Sequence, residues 1–244
     1  MRILIIALFS LAAIGLSGCN ESKKDDNVIH FAIAAEYPPF EYQEQGKLKG
    51  FDIDLANLLA QHLGKQAVFD NMQFSTILPA LTSNQVDAAI STITITEERK
   101  KNFDFSEPYY FEKMAAVSRK DNPVAIPQQL EGKKTACQLG STMEIWLKKN
   151  FPSENTIAMD NNNQAIEALK AGHVDAVLMD GAQAVIFSQK NPGLSYAFIA
   201  HSDDGYGIAF KKHSLLTGQI NRALNTLKAN GEIEKLKNKW FLGA

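Results

Sequence analysis

Val86-Asp87-Ala88-Ala89-Ile90-Ser91-Thr92-Ile93-Thr94-Ile95-Thr96-Glu97-Glu98-Arg99 is the stretch on which the reading of this chain turns. Val86 to Ile90, small or apolar apart from one aspartate, predicts a short buried strand. Hydroxyl-bearing residues follow at Ser91, Thr92 and Thr94, and then a helix begins. Thr96 is the expected N-cap, because its side chain can accept an unpaired amide hydrogen of the first turn, and Glu97 and Glu98 suit the positive end of the helix dipole. Arg99 then lies one turn in. Backbone donors and hydroxyls at a strand end, backed by a guanidinium with two parallel N–H groups, can hold a carboxylate. The same residues also have a structural reading, with threonines as β-branched strand formers and Arg99 as a solvated charge.

Working outward, the stretch is half of an internal repeat. Ile77 to Thr92 (ILPALTSNQVDAAIST) aligns without a gap to Ala165 to Asp180 (AIEALKAGHVDAVLMD). In both copies a helix with an apolar face ends at a residue suited to the left-handed conformation, Asn84 or Gly172, and leads into a strand that begins Val-Asp-Ala. Each copy predicts a helix feeding a buried strand of an α/β sheet. One strand ends at Ser91 and Thr92, the other at Asp180. Ligands of open α/β sheets bind beyond the carboxyl ends of strands. Two such ends facing each other would set hydroxyls and Arg99 against a carboxylate, the charge pattern that fits a free amino acid. Five identities in sixteen positions can equally arise from shared packing needs.

Met1 to Gly18 has the form of a targeting segment: Arg2, an apolar run from Ile3 to Leu16, then Leu16-Ser17-Gly18 before Cys19. The run is too short and wrongly flanked for a membrane span. Small residues directly before a cysteine resemble the bacterial lipoprotein signal, which implies a lipid on Cys19; an ordinary secretory signal is the alternative. Asn20 to Asn27 reads as a polar tether.

The remaining 226 or so residues suffice for one large domain or two small lobes. With 25 Lys plus Arg against 27 Asp plus Glu, charge gives no case for nucleic acid or for a polybasic membrane surface. Cys137 is then the one remaining cysteine, so no intrachain disulfide is expected, and its apolar surroundings predict a buried small hydrophobe. After a strand at Ile29 to Ala34, Tyr37-Pro38-Pro39-Phe40 must stay extended, placing Tyr37 just past the strand end. A turn at Gly46 leads to a helix from Ile53 to Leu63, with Asp52 as the expected cap and Gly64 as the stop.

Tyr37-Pro38-Pro39-Phe40-Glu41, Gly50-Phe51-Asp52-Ile53-Asp54-Leu55, Phe74 with Ile77 to Leu81, Ser91 to Arg99, Phe105 to Tyr110, Leu139 to Thr142, Val174 to Asp180 and Asn230 to Phe241 follow one another in an order that resembles the polar amino-acid solute-binding proteins of bacterial ABC importers. The resemblance implies a two-lobed α/β periplasmic binding protein fold (type II) with two hinge strands and a ligand cleft between the lobes. Mapped onto this chain, lobe one is 28–110 plus 205–244 and lobe two 114–204, with hinges near 111–117 and 204–210; the apolar runs Met114 to Val117 and Ile208 to Phe210 suit the crossings. It further implies that Arg99 pairs with a ligand carboxylate, aided by Thr94 and by the amide of Thr142 at a helix N-terminus. Asp180 takes the α-ammonium, with Ser91 or Thr92 offering a carbonyl. Tyr37 and Phe74 flank the ligand side chain, a pair suited to a flat guanidinium, and Gln138, Ser141 and Met143 complete the ligand-binding set.

Two departures bear on specificity. Relatives that take basic amino acids often carry an acid three residues before the tyrosine, where this chain has Ala34, and Glu36 could substitute if it faces the cleft. Met143 stands where those relatives often have a polar residue. Arginine or a related basic amino acid is the expected ligand, with glutamine as the alternative. The expected partner is an ABC permease, the expected state a monomer outside the cytoplasm held only by the lipid, and no cofactor or metal is expected. Two other classes remain. One is a cyclohexadienyl dehydratase on the same fold, in which Asp180 and Glu36 would serve as acid and base. The other is a sensor or adhesin domain that signals through a partner. Neither metal-ligand spacing among the histidines nor a phosphate-binding glycine loop supports an enzyme.

Overall fold

The computed structural model describes residues 26–152, 155–201 and 204–242. The targeting segment, Cys19 and most of the tether lie outside the described residues. The chain begins β1 (Val28–Ile33), β2 (Glu36–Tyr37), β3 (Glu41–Glu44), β4 (Lys47–Lys49), α1 (Phe51–His62), β5 (Gln66–Asn71), α2 (Phe74–Thr82), β6 (Ala88–Ala89), α3 (Glu97–Lys100) and β7 (Phe103–Phe105). It continues through β8 (Lys113–Arg119), β9 (Thr135–Gln138), α4 (Thr142–Asn150), β10 (Thr156–Met159), α5 (Asn162–Lys170), β11 (Ala176–Asp180), α6 (Gly181–Lys190) and β12 (Leu194–His201). It returns with β13 (Ala209–Lys211), α7 (Leu215–Ala229) and α8 (Glu232–Lys237).

Two five-stranded sheets result, β5-β1-β6-β13-β7 and β10-β9-β11-β8-β12. They share one plan. In each, the first three strands run parallel and the fourth antiparallel to its neighbours. The repeat occupies equivalent places, α2 to β6 and α5 to β11, and supplies the central strand of each sheet. Asn84 (φ 58°) and Gly172 (φ 76°) both take the left-handed turn before the strand. The paired aspartates also correspond. Asp87 accepts from the His30 amide at 2.9 Å and gives its own amide to His30 O, while Asp175 accepts from the Lys134 amide at 3.0 Å and gives its amide to Lys134 O. The Val-Asp-Ala motif thus starts a central strand by satisfying the neighbouring backbone.

Apolar clusters cover both faces of each sheet. In the first sheet, Phe31, Phe51, Leu55, Leu59 and Leu224 gather on one face, and Ile77, Leu81, Val86 and Ile93 on the other. In the second, Val117, Ile166, Leu169 and Val177 oppose Ala116, Leu130, Leu147 and Leu178. Strands buried on both faces by helices are what a largely parallel sheet requires. Cys137 is fully buried in the second sheet without a disulfide, and burial pushes its thiol up to about 12. Among the described residues, no helix is long and apolar enough to cross a membrane.

Several local expectations change. Only Ala88 and Ala89 pair as strand within Val86 to Ile90. The first helix starts at Phe51, with Gly50 (φ 129°) at the N-cap; a Cβ there would lie 2.0 Å from Phe40 O. Asp52 therefore caps nothing and turns inward, fully buried. Met114 to Val117 lies wholly inside β8, and Ala209 and Phe210 lie inside β13. Tyr110 and Tyr206, which lie on the two connections between the sheets, bridge antiparallel to one another. Apolar runs were taken up by burial on both sheet faces, and the crossing is held by backbone pairing.

Candidate ligand-binding cleft

Beyond the carboxyl end of β6 the chain turns at Thr92 (φ 47°), whose amide donates to Asp52 Oδ2 at 3.0 Å. Thr96 caps α3, its hydroxyl accepting from the Arg99 amide at 3.1 Å. This fixes the start of the Arg99 side chain. Its Nη1 donates to Thr94 O at 2.9 Å and its Nη2 to Gly140 O at 3.1 Å, the second a contact reaching the half built on the other sheet. The guanidinium stands 5.9 Å from the Phe74 ring centre. Burial pulls it down to about 10, opposed by the charge of Asp180, so it remains a cation at neutral pH.

In the second sheet β11 ends at Asp180, the residue before α6. The Tyr37 hydroxyl, from the first half, donates to Asp180 Oδ2. Enclosure by protein raises the Asp180 carboxyl to about 7, against the opposing effects of the Tyr37 bond and Arg99. Burial and the Asp180 charge keep the Tyr37 and Tyr206 phenols protonated well above their usual range, so both remain donors. Ser141 caps α4 through the Glu144 amide at 3.3 Å, and Glu144 in turn accepts from the Gly140 amide at 2.7 Å. That exchange orients the α4 N-terminus, with Thr142 as its first residue, toward the same space.

A narrow cavity lies between the halves. Of the residues expected to bind ligand, Tyr37, Phe74, Thr92, Thr94, Arg99, Gln138, Ser141, Thr142, Met143 and Asp180 line it. Arg99 and Asp180 are the charged side chains of that lining, one from each half. Ser91 stays behind the wall: it is fully buried, its hydroxyl accepting from the Ala34 amide and donating to Glu41 Oε1 at 2.7 Å. Glu36 faces elsewhere. Strand alternation turns it outward when its neighbour Tyr37 points in, and it lies exposed along a separate groove with Lys190 and Lys239. The substitute acid is thus outside the cavity.

Three lining residues escaped the sequence reading: Asn162, Leu178 and Met179. Leu178 and Met179 directly precede Asp180 in the repeat, and Asn162 opens the helix that feeds that strand, so their nearness to a strand end was a usable signal. Among the described residues, no cluster of histidine, cysteine, aspartate and glutamate could hold a metal ion.

Residues 29–243 match the model of the bacterial extracellular solute-binding proteins, family 3. The chain belongs to that family. It is 36% identical over 240 residues to the arginine-binding extracellular protein ArtP of Bacillus subtilis, covering 96% of this chain and 94% of ArtP. To the L-cystine-binding protein TcyJ of Escherichia coli K12 it is 31% identical over 246 residues, 99% of this chain and 92% of TcyJ. The structure of an ancestral arginine-binding protein bound to arginine superposes with a TM-score of 0.85 at 40% identity, over 88% of this chain and 98% of that one. The two-lobed periplasmic binding protein fold is therefore that of this family-3 chain, and its relatives are extracytoplasmic solute-binding proteins of amino-acid ABC transporters rather than enzymes.

Proposed function

We propose that this protein captures a polar or basic L-amino acid, arginine first, and delivers it to an ABC permease. The observation that carries this reading is the cavity itself, in which Arg99 and Asp180 from opposite halves are the two charged groups. A free amino acid presents a carboxylate to Arg99, which offers a fork of parallel donors, and an ammonium to Asp180. Its side chain lies against Tyr37 and Phe74, where a guanidinium gains roughly 0.5 to 2 kcal/mol from the ring faces. Ligand names carried by ArtP and the ancestral protein support arginine.

Glutamine is the second reading, favoured by the outward position of Glu36. With one guanidinium and one carboxyl, the cavity offers no further acid to a cationic side chain, and Gln138 and Asn162 offer neutral partners.

The lobes, 28–110 with 205–244 and 114–204, close by a shift in population. A ligand bridging Arg99 and Asp180 gains both contacts only when the halves meet. The targeting segment and Cys19 fit a lipid-anchored, monomeric protein on the outer face of a membrane. Thermal unfolding with each of the twenty amino acids and with cystine tests the ligand, because binding to the folded state raises the midpoint by mass action. Arginine should give the largest rise, and no rise with any of them refutes capture of an amino acid. Product analysis after incubation with prephenate or arogenate should show no turnover.

A further inference from the structure

Behind the cavity wall lies a pair of acids that ligand capture leaves unused. Glu41 on β3 and Asp52 on α1 are 1% and 0% exposed. Among the described residues no ion pair reaches either carboxyl. Each has one oxygen with a conventional partner: Glu41 Oε1 accepts from the Ser91 hydroxyl at 2.7 Å, and Asp52 Oδ2 accepts from the Thr92 amide at 3.0 Å and the Tyr109 hydroxyl at 2.9 Å. The other two oxygens, Glu41 Oε2 and Asp52 Oδ1, are buried with no N–H or O–H donor, while the two carboxyls are within hydrogen-bonding reach of each other. Two orphaned acceptors on neighbouring buried acids are both satisfied by one proton.

We propose that Glu41 and Asp52 share a single proton and through it hold Thr92 in place as part of the cleft wall. The bonds then run in one direction. The Ala34 amide donates to Ser91, Ser91 to Glu41, protonated Glu41 to Asp52, and the Asp52 carboxylate accepts from Thr92 and Tyr109. Thr92 needs such a restraint, because φ 47° is an uncommon conformation for a β-branched residue. Tyr109 immediately precedes Tyr110, where the chain crosses between halves, so the same proton ties the cleft wall to the crossing.

The titratable groups facing the pair are Tyr109 and, across the cleft, Asp180, both of which can only add negative charge. Arg99 is turned to Thr94 O and Gly140 O. On the same helix as Asp52, Asp54 is bonded to Lys239 at its exposed end. Burial and the neighbouring Asp52 charge accordingly raise the Glu41 carboxyl well above its usual range. Glu41 and Asp52 are positioning residues in this scheme, without contact to ligand.

The proposal rests on the cavity being the ligand site, and the test separates the two. Arginine affinity is measured by calorimetry from pH 6 to 9 for the wild type, Glu41→Gln and Glu41→Ala. Glutamine at 41 can accept from Ser91 and donate to Asp52, so Glu41→Gln should bind within about threefold of the wild type at pH 7 and from there to pH 9 follow only the titration of Asp180 and of the ligand ammonium. The wild type should weaken toward pH 9 more steeply than Glu41→Gln, as the shared proton leaves. Glu41→Ala should lose about ten- to a hundredfold, since it leaves Asp52 Oδ1 unpaired. Infrared spectra at pH 8 should show a protonated carboxylic acid band, larger than the residual Asp180 contribution, that Glu41→Gln reduces to that contribution, a readout that stands even where Glu41→Ala fails to fold. Wild-type affinity in Glu41→Ala, equal losses in the alanine and glutamine variants, or an acid band left unchanged by Glu41→Gln overturns the proposal. Absence of amino-acid binding to the wild type overturns the ligand reading instead.

Discussion

Asp180 gives the sharpest quantitative expectation. Its carboxyl stands at about 7 in the free protein, against an ordinary value of 3.8, and an α-ammonium pairs with the ionised form. At pH 7 about half of the molecules carry that form and at pH 5 about one in a hundred, so apparent affinity for an amino acid should fall about 50-fold between the two. Stability should slope the other way. The folded free protein keeps a proton that the unfolded chain has released, so this group's contribution to stability is complete at low pH and is lost as pH rises through 7. Calorimetry from pH 5 to 8, in two buffers of different ionisation enthalpy, should register release of about half a proton per ligand at pH 7. Asp180→Asn should bind amino acids weakly at every pH, lose the slope in affinity and stabilise the free protein at pH 8. It should also affect des-amino analogues less than amino acids. A wild-type affinity that is flat with pH, or a slope that survives in Asp180→Asn, would refute the assignment of the ammonium to this carboxyl.

Arg99→Ala should weaken amino-acid binding by about 2 to 5 kcal/mol, because a ligand anchored at Asp180 would keep a buried, unpaired carboxylate; unchanged affinity by calorimetry counts against the site. Glu36→Gln should leave arginine affinity within about twofold of wild type, as its side chain lies on the exposed side of β2 and surface charges of this kind contribute little; a larger loss would show that it reaches the cleft. Gly50→Ala should cost at least about 2 kcal/mol in denaturant unfolding, since the new Cβ would meet Phe40 O at a φ that side chains rarely adopt. Asp87→Ala and Asp175→Ala should each cost about 0.5 to 1.5 kcal/mol and match one another, since both leave an equivalent strand amide without its acceptor; unequal losses would mean that the two motifs do different work.

Much of this was legible from residues alone, because the decisive signals are local. A cap such as Thr96, a left-handed turn at Asn84 or Gly172 and a buried Val-Asp-Ala start are satisfied within a few residues or against the adjacent strand, so their pattern survives in one dimension. The repeat placed the two strand ends, and with them Arg99 and Asp180. Two sheets of the same plan then follow from burying two copies of one helix-strand unit. Direction was harder to read than existence. Asp52 has the composition of a helix cap and Glu36 that of a cleft acid, yet each orientation depends on what lies across space: Gly50 must pass close to Phe40 O, which starts α1 early and turns Asp52 inward, and Tyr37 reaches Asp180, which turns Glu36 out. The facing of Glu41 and Asp52, from a strand and a helix joined by other chemistry, has no sequence signature at all. Sequence by itself determined which residues could carry charge to a strand end; only the tertiary structure decided which of them share a cavity, because that depends on the packing of separate elements and on which buried oxygens are left without a donor.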